Sequence, residues 1–360
     1  MRYRLLIVFV CMVFFLSSCA LIPPTDVNEI NIIQGAGFDL QEKDQLKATV
    51  TFPIFRAIDT TEFDIVSAKG QTLKNIREKI DNQIRHRMMS GQLRLVLYSL
   101  DLAKKGIYPI VDTFDRDPAV GSLLQMAVVE GETFDLLSLK EYEQENVSLY
   151  IHDLLLHNSE VGPMPYSDFS TFMYDYFEEG QDPFLPMLKM DKGAIKLSGV
   201  ALFKDDKFVA KVPWKYVFAF KTLMESYHQG MHQFDFDGEH LAIDNINSKT
   251  KYKVKIIKGK PEFNIELNMN ARILEYTGPK PISLPKHIKE ITKKLEKQIE
   301  KEQMELISIL QKNNVDPIGF GSKLEAHDRN FDSKKWEEQY PHAKVKVKAN
   351  LDIIHTGIVE

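Results

Sequence analysis

Cysteine is almost absent from this chain. Its 360 residues include only Cys11 and Cys19, both within the first nineteen positions. From Ala20 onward there is no thiol, which excludes disulfide staples, thiolate nucleophiles and cysteine-ligated zinc. The body must be held by core burial alone. Long apolar runs are also missing: after Leu16 none approaches the roughly 20 residues that a membrane-spanning helix requires. Nor is there an excess of positive charge. The 46 Lys and Arg are outnumbered by 51 Asp and Glu, and an acidic, dispersed pattern is unsuited to nucleic acid, which needs clustered cations. Phosphate-binding and hydrolase signatures are lacking too, with no P-loop, no Gly-x-Ser-x-Gly and no His-Glu-x-x-His. No internal repeat or low-complexity stretch occurs.

What is present begins at the N-terminus. Met1-Arg2-Tyr3-Arg4 is basic, Leu5 to Leu16 is almost wholly apolar, and Leu16-Ser17-Ser18-Cys19 follows. The apolar run suits a secretory signal and is short for a bilayer span. Small residues directly before a cysteine form a bacterial lipobox. The spacing predicts that residues 1–18 are cleaved and that the Cys19 thiol carries a diacylglyceryl thioether. Losing Arg2 and Arg4 with the leader leaves 44 basic against 51 acidic residues, a net charge of −7 with neutral histidines. At ~0.8 kcal/mol per buried CH₂, two acyl chains hold a protein to a membrane without a basic patch. Residues 19–28 read as a tether, kept extended by Pro23-Pro24.

Beyond the tether the pattern is mixed. Ile30 to Phe38 reads as a strand, with a hairpin connection at 39–44 into the alternating strand Leu46 to Phe52. Leu73, Ile76, Ile80 and Ile84 make the stripe of an amphipathic helix. Leu93 to Leu97 and Leu123 to Val129 are short apolar strands, and Gly106 caps a helix over 101–105. Two helices follow, around Leu149–Leu156 and Phe169–Phe177. Gly180-Gln181-Asp182-Pro183 and Pro186 mark a change of pattern and a candidate domain boundary. Residues 194–203 and 207–212 form a hairpin turning at Asp205-Asp206, and a helix covers 214–224. Tyr252, Val254 and Ile256 alternate with lysines, and Phe263 to Ile273 alternate with polar residues, giving a long hairpin with one wet face. Ile288, Ile291, Leu295 and Ile299 lie on one stripe of the longest helix, 288–310, whose mixed-charge face reads as solvated. A lysine-valine strand closes the chain at 343–353. The fold class expected is α+β, with mixed, largely antiparallel sheets, packed helices, two to three domains and no Rossmann-type parallel sheet. The division expected is an N-terminal domain at 29–185 and a C-terminal domain at 190–360, with a further division near 275–285.

Three clusters carry residue types that chemistry could use. Gly35-Ala36-Gly37 begins like a dinucleotide fingerprint, but Leu40 replaces the third glycine and a hairpin replaces the helix. His228, His232 and His240, with Asp235, Asp237 and Glu239, offer metal-ligand types. Gly230 breaks the helix that would align the first two, so a solvated loop is expected. Asp112, Asp115 and Asp117 have no partner base and read as turn residues around Arg116 and Pro118. No catalytic, cofactor-binding or metal residue is assigned.

At this point the chain resembles a known family, the C-subunit lipoproteins of GerA-type nutrient germinant receptors of spore-forming bacteria. The markers are Asn28-Glu29-Ile30 leading into Gly35-Ala36-Gly37-Phe38-Asp39, then Gly91-Gln92-Leu93-Arg94-Leu95-Val96-Leu97. Leu102-Ala103-Lys104-Lys105-Gly106-Ile107, Arg116-Asp117-Pro118 and Gly199 to Lys207 come next. The long helix after Pro285, Asp316-Pro317-Ile318-Gly319-Phe320-Gly321, Lys335-Trp336 and the closing strand complete the series. One departure is Ala20-Leu21-Ile22-Pro23-Pro24, where the family commonly places an aromatic and an acidic residue. The resemblance implies a non-enzymatic receptor subunit, lipid-anchored through Cys19 to the outer face of the spore inner membrane. Its implied partners are integral-membrane A and B subunits, and it implies a role in nutrient-triggered germination through assembly or signalling. The alternatives are a solute-binding lipoprotein serving a transporter, which normally shows two α/β lobes, and a cell-surface hydrolase.

Overall fold

The computed structural model describes residues 30–57, 60–139, 146–236, 238–279, 281–282 and 284–356. Cys19, the leader, the tether and Asp237 lie outside the described residues. In chain order come β1 (Ile30–Ile32), β2 (Gly35–Leu40), β3 (Leu46–Ala57), β4 (Thr60–Gly70), α1 (Leu73–Asp81), β5 (Arg87–Met89) and β6 (Leu95–Ser99). Helices α2 (Leu100–Lys105) and α3 (Tyr108–Asp115) lead to β7 (Gln125–Val129). Helices α4 (Thr133–Leu137), α5 (Val147–Glu160) and α6 (Phe169–Phe177) lead to β8 (Phe184–Asp191). Then follow β9 (Ala194–Lys204), β10 (Lys207–Pro213), α7 (Val217–Met224), β11 (Gly230–Phe236), β12 (Glu239–Ile257) and β13 (Lys260–Tyr276). The chain continues through α8 (Pro285–Lys312), α9 (Phe320–Glu325) and α10 (Ser333–Gln339) to β14 (Lys344–Thr356).

The fold class is the expected one. An eight-stranded mixed sheet has the order β10-β9-β8-β7-β6-β2-β3-β4, and a four-stranded sheet the order β11-β12-β13-β14. The centre of the larger sheet, β2-β6-β7-β8, is parallel, with antiparallel pairs on both flanks. Strand β6 shows why it sits in the middle: every residue from Leu95 to Ser99 is buried. Val96 and Tyr98 face a core with α1, α2, α3 and α6, while Leu95 and Leu97 face a second core with α4 and α5. That is the pattern of a strand covered on both sides. The larger sheet continues across the proline-bearing segment at 180–186, drawing strands β8 to β10 from residues 184–213.

Several elements depart from the sequence reading. The strand read over Ile30 to Phe38 is two strands, because β1 leaves the main sheet to pair with β5. The edge strand β4, rich in Thr, Asp and Glu, shows no clear alternation and was not read. Asp112 and Asp115, expected as turn residues around Arg116 and Pro118, lie in helix α3, whose Pro109 stands in the first turn, where its missing N–H costs nothing. Strand β8 was hidden by Pro183 and Pro186. Its parallel pairing to β7 begins at Met187, past both prolines.

The second sheet is organised by α8. Ile291, Leu295 and Ile299 pack on Leu267, Met269 and Ala271 of β13 and Ala349 of β14. Because α8 is the crossover between them, β13 and β14 are parallel. Its charged face is only partly solvated: Glu300 and Glu296 accept the Ala349 and Leu351 N–H groups of edge strand β14, each at 3.0 Å. Leu295 is completely buried, so Leu295→Ala should lower the unfolding free energy by about 2–5 kcal/mol in urea titrations. Lys297→Ala, on the exposed side of the same helix, should stay within about 0.5 kcal/mol of wild type.

Candidate functional site at the seam between the sheets

The two sheets meet over a shared core. Phe184, Val200 and Leu202 of the first sheet and Phe263 and Ile265 of the second pack with Phe220, Leu306, Phe320, Trp336 and Tyr340. At the rim of that core two loops cross. One leaves α6 through Gly180, whose φ of +75° is in the left-handed region, and reaches Asp182-Pro183. The other leaves α8, passes Asp316-Pro317 and enters α9 through Gly319 at φ +70°. Gly180 and Gly321 are in contact: a Cβ on Gly180 would stand 2.6 Å from the Gly321 carbonyl carbon, and one on Gly321 would stand 2.4 Å from Trp336 Nε1.

The crossing is bonded in both directions. The Asp316 N–H donates to Asp182 Oδ2 at 2.7 Å, and the Asp182 N–H donates to the Asp316 carbonyl at 3.1 Å. The Asp316 carboxylate in turn accepts the Phe320 and Gly321 N–H groups at 2.9 and 2.8 Å, which starts α9. The other Asp182 oxygen faces Lys204 at 3.2 Å, and Lys204 reaches Glu337 at 3.0 Å. Nearby, Gln181 Nε2 donates to Asp175 at 2.6 Å and the Ser322 N–H to the Gly180 carbonyl at 3.1 Å.

Burial dominates the electrostatics here. It pushes Asp316 up to about 7 against the Phe320 and Gly321 amides, and Asp175 up to about 7 against the Gln181 amide. Asp182 is raised as well, because burial outweighs the pull of Lys204. Burial works to lower Lys204, but Asp182 and Glu337 outweigh it and hold the ammonium above its ordinary value. A cleft of about 210 Å³ opens beside this cluster, with Tyr176, Phe177, Lys204, Asn314, Trp336 and Glu337 in its walls. The buried Tyr340 hydroxyl, also in the wall, has no hydrogen-bond partner among the described residues. The bonds of Asp182 and Asp316 run to backbone amides and to Lys204 and cross from one loop to the other. That arrangement is suited to bracing two halves rather than to proton transfer.

The clusters singled out from the sequence lie elsewhere. Gly35 and Gly37 are on β2, where a Cβ would stand 2.1 Å from Ser148 Oγ and 2.4 Å from Thr133 Oγ1. They let α5 and α4 close onto the sheet. Asp39 then accepts the Thr133 and Phe134 N–H groups at 2.6 and 3.2 Å. The solvated loop expected for the histidines is corrected to a hairpin of β11 and β12. His232 stacks on Phe218 with ring centroids 4.1 Å apart, and burial takes it down to about 4. His240 Nδ1 meets Asp235 at 2.6 Å, while His228 is exposed. Among the described residues no three His, Cys, Asp or Glu side chains converge as a metal site. Asp112 sits in α3, paired through both oxygens with Arg116 at 2.9 Å, and Asp117 accepts Ser90 Oγ at 2.8 Å. The seam itself was missed. Its only sequence signal is a pair of Asp-Pro steps flanked by glycine, Gly180-Gln181-Asp182-Pro183 and Asp316-Pro317-Ile318-Gly319.

Residues 24–190 match the family described as "Spore germination protein N-terminal domain", and residues 198–357 match "Spore germination B3/ GerAC like, C-terminal". Spore germination protein GerQC of Bacillus cereus is 31% identical over 357 residues, spanning 98% of this chain and 99% of that one. The chain belongs to this GerAC-like family of spore germination proteins. Spore germination protein B3 of Bacillus subtilis (strain 168) is 21% identical, with 96% of each chain covered. The crystal structure of the GerBC protein shares the fold, with a TM-score of 0.61, 16% identity, and coverage of 89% of this chain and 97% of that one.

The sign of the seam's pH dependence follows from its acids. Asp175 holds a proton up to about 7 in the folded chain, against an ordinary value of 3.8. Between those values the folded state binds more protons than the unfolded state, so stability falls as pH rises from about 4 to 7. Asp175→Asn keeps an acceptor for Gln181 and should flatten that fall. Each tenfold change in proton affinity is worth about 1.4 kcal/mol, so thermal melts of the two proteins across this range should converge at low pH and separate at neutral pH.

Proposed function

We propose that the chain is the lipid-anchored, non-catalytic subunit of a spore germinant receptor, required for nutrient-triggered germination through assembly or signalling with integral-membrane A and B subunits. The observation that carries this reading is the end-to-end match with a protein named for spore germination, GerQC, at 31% identity. The braced seam supports it, since it makes two sheets into one body of the kind an assembly subunit presents to partners. The lipobox supports it as well. No helix among the described residues is long and apolar enough to cross a membrane, and in this reading the Cys19 thioether is what holds the chain on the outer face of the spore inner membrane.

The anchor is tested by Cys19→Ala in spores. The expected outcome is a folded chain at normal total level that leaves the membrane fraction, with loss of the germination response to nutrients. A wild-type response from spores carrying this variant would overturn the reading.

A further inference from the structure

Strand alternation gives the four-stranded sheet two unlike faces. The side toward α8 buries Leu241, Ile243, Phe263, Ile265 and Leu267. The other side carries a comb of lysines: Lys249, Lys251, Lys253 and Lys255 of β12, all exposed. Lys344, Lys346 and Lys348 of β14 form a second, equally exposed comb. Between them β13 sets Glu262, Asn264, Glu266 and Asn268. Lys251 and Lys348 stand opposite Glu266, Lys255 and Lys344 opposite Glu262, and Lys253 and Lys346 opposite Asn264. Within the stretch formed by residues 249–255, 262–268 and 344–348, seven lysines against two glutamates leave a formal +5 on this side, within a chain whose formal net charge is −5. Among the described residues only Lys344 of the seven is held by a carboxylate, Glu262 at 2.9 Å.

The area is roughly 10 by 20 Å from strand spacing and rise. Charges are screened beyond about 8 Å at physiological ionic strength, so this local excess and not the global charge decides what approaches. The chemistry of this stretch narrows the occupant. Its cations are all lysine, and it carries no aromatic ring; Arg272, further along β13, is already paired with Asp244 at 2.8 Å. Arginine and aromatic rings are the residues that make hot spots in protein interfaces and stacking platforms for bases. Lysine is depleted from protein interfaces, and its flexible point charge suits a plane of mobile phosphates. At the hairpin tip, opposite Lys260 on the same side as Lys255, Ile257 is 46% exposed, an apolar side chain that a headgroup layer would take up.

We propose that this lysine face docks on the surface of an anionic phospholipid bilayer and sets how the body lies on the membrane. The inference deepens the membrane placement argued above, and its test does not use the anchor. Among the described residues every buried core residue lies between Ala36 and Ala349, so residues 19–360 carrying Cys19→Ala retain that packed core. This chain should float with vesicles containing phosphatidylglycerol, release at high salt, and ignore vesicles of phosphatidylcholine alone. Lys249→Glu, Lys253→Glu and Lys346→Glu together face only asparagines across the strands, so they break no cross-strand ion pair. They should weaken binding on the order of 100-fold or more with an unchanged thermal midpoint. Lys293→Glu, Lys297→Glu and Lys301→Glu on exposed positions of α8 change the net charge equally and should leave binding intact. Failure to bind anionic vesicles, equal loss in both triple variants, or capture of an acidic protein in place of lipid would overturn the proposal. Acylation of Cys19 in the full chain, read by mass spectrometry, reports on the anchor separately.

Discussion

Two aspartates 134 positions apart hold each other's loops. Asp182 gives its carboxylate to the Asp316 amide and its own amide to the Asp316 carbonyl. A buried carboxylate is costly unless hydrogen bonds and countercharge satisfy it, and here each one has a second duty. Asp316 starts α9 through two amides, and Asp182 anchors Lys204, which reaches Glu337 on α10. The aromatic core behind them, with Phe320, Trp336 and Tyr340, takes strands from both sheets. Without the crossing, α9 would lose its cap and Phe320 its fixed entry to that core.

This joint is one of several built in the same way. Gly106, at φ +128°, leaves room for Asp206, whose carboxylate accepts the Tyr108 N–H at 3.0 Å. Asp39 caps α4 in the same manner. Small residues admit a close neighbour, and an aspartate then fixes a helix start against it. These are features of a body built to keep its shape. They accord with a subunit that positions and relays, and the lysine face adds a way for such a body to meet its surroundings.

How far the sequence was legible depended on the range of the interaction. Periodicity alone identified β13, α8 and β14, because Phe263 to Ile273 alternate strictly and Ile291, Leu295 and Ile299 share one stripe. It did not show that β13 and β14 are parallel neighbours, since pairing and register are set by the crossover and not by either strand. Helix α3 and strand β8 were obscured by prolines whose positions are harmless only in context. The seam was illegible for a different reason. Asp182 reads as a linker acid and Asp316 as part of a turn, and nothing local tells that Asp182 is 7% and Asp316 3% exposed. The histidine group, expected as a solvated loop, is a hairpin in which residues close in sequence are split between a ring stack on Phe218 and an exposed pair with Asp235.

The claim that this crossing joins the two sheets is most directly tested by hydrogen–deuterium exchange on Asp182→Ala. The account predicts that protection falls together at residues 180–184 and 314–322, on both loops, while the centres of β6 and β13 remain protected. Unchanged protection at 314–322 in that variant would contradict it.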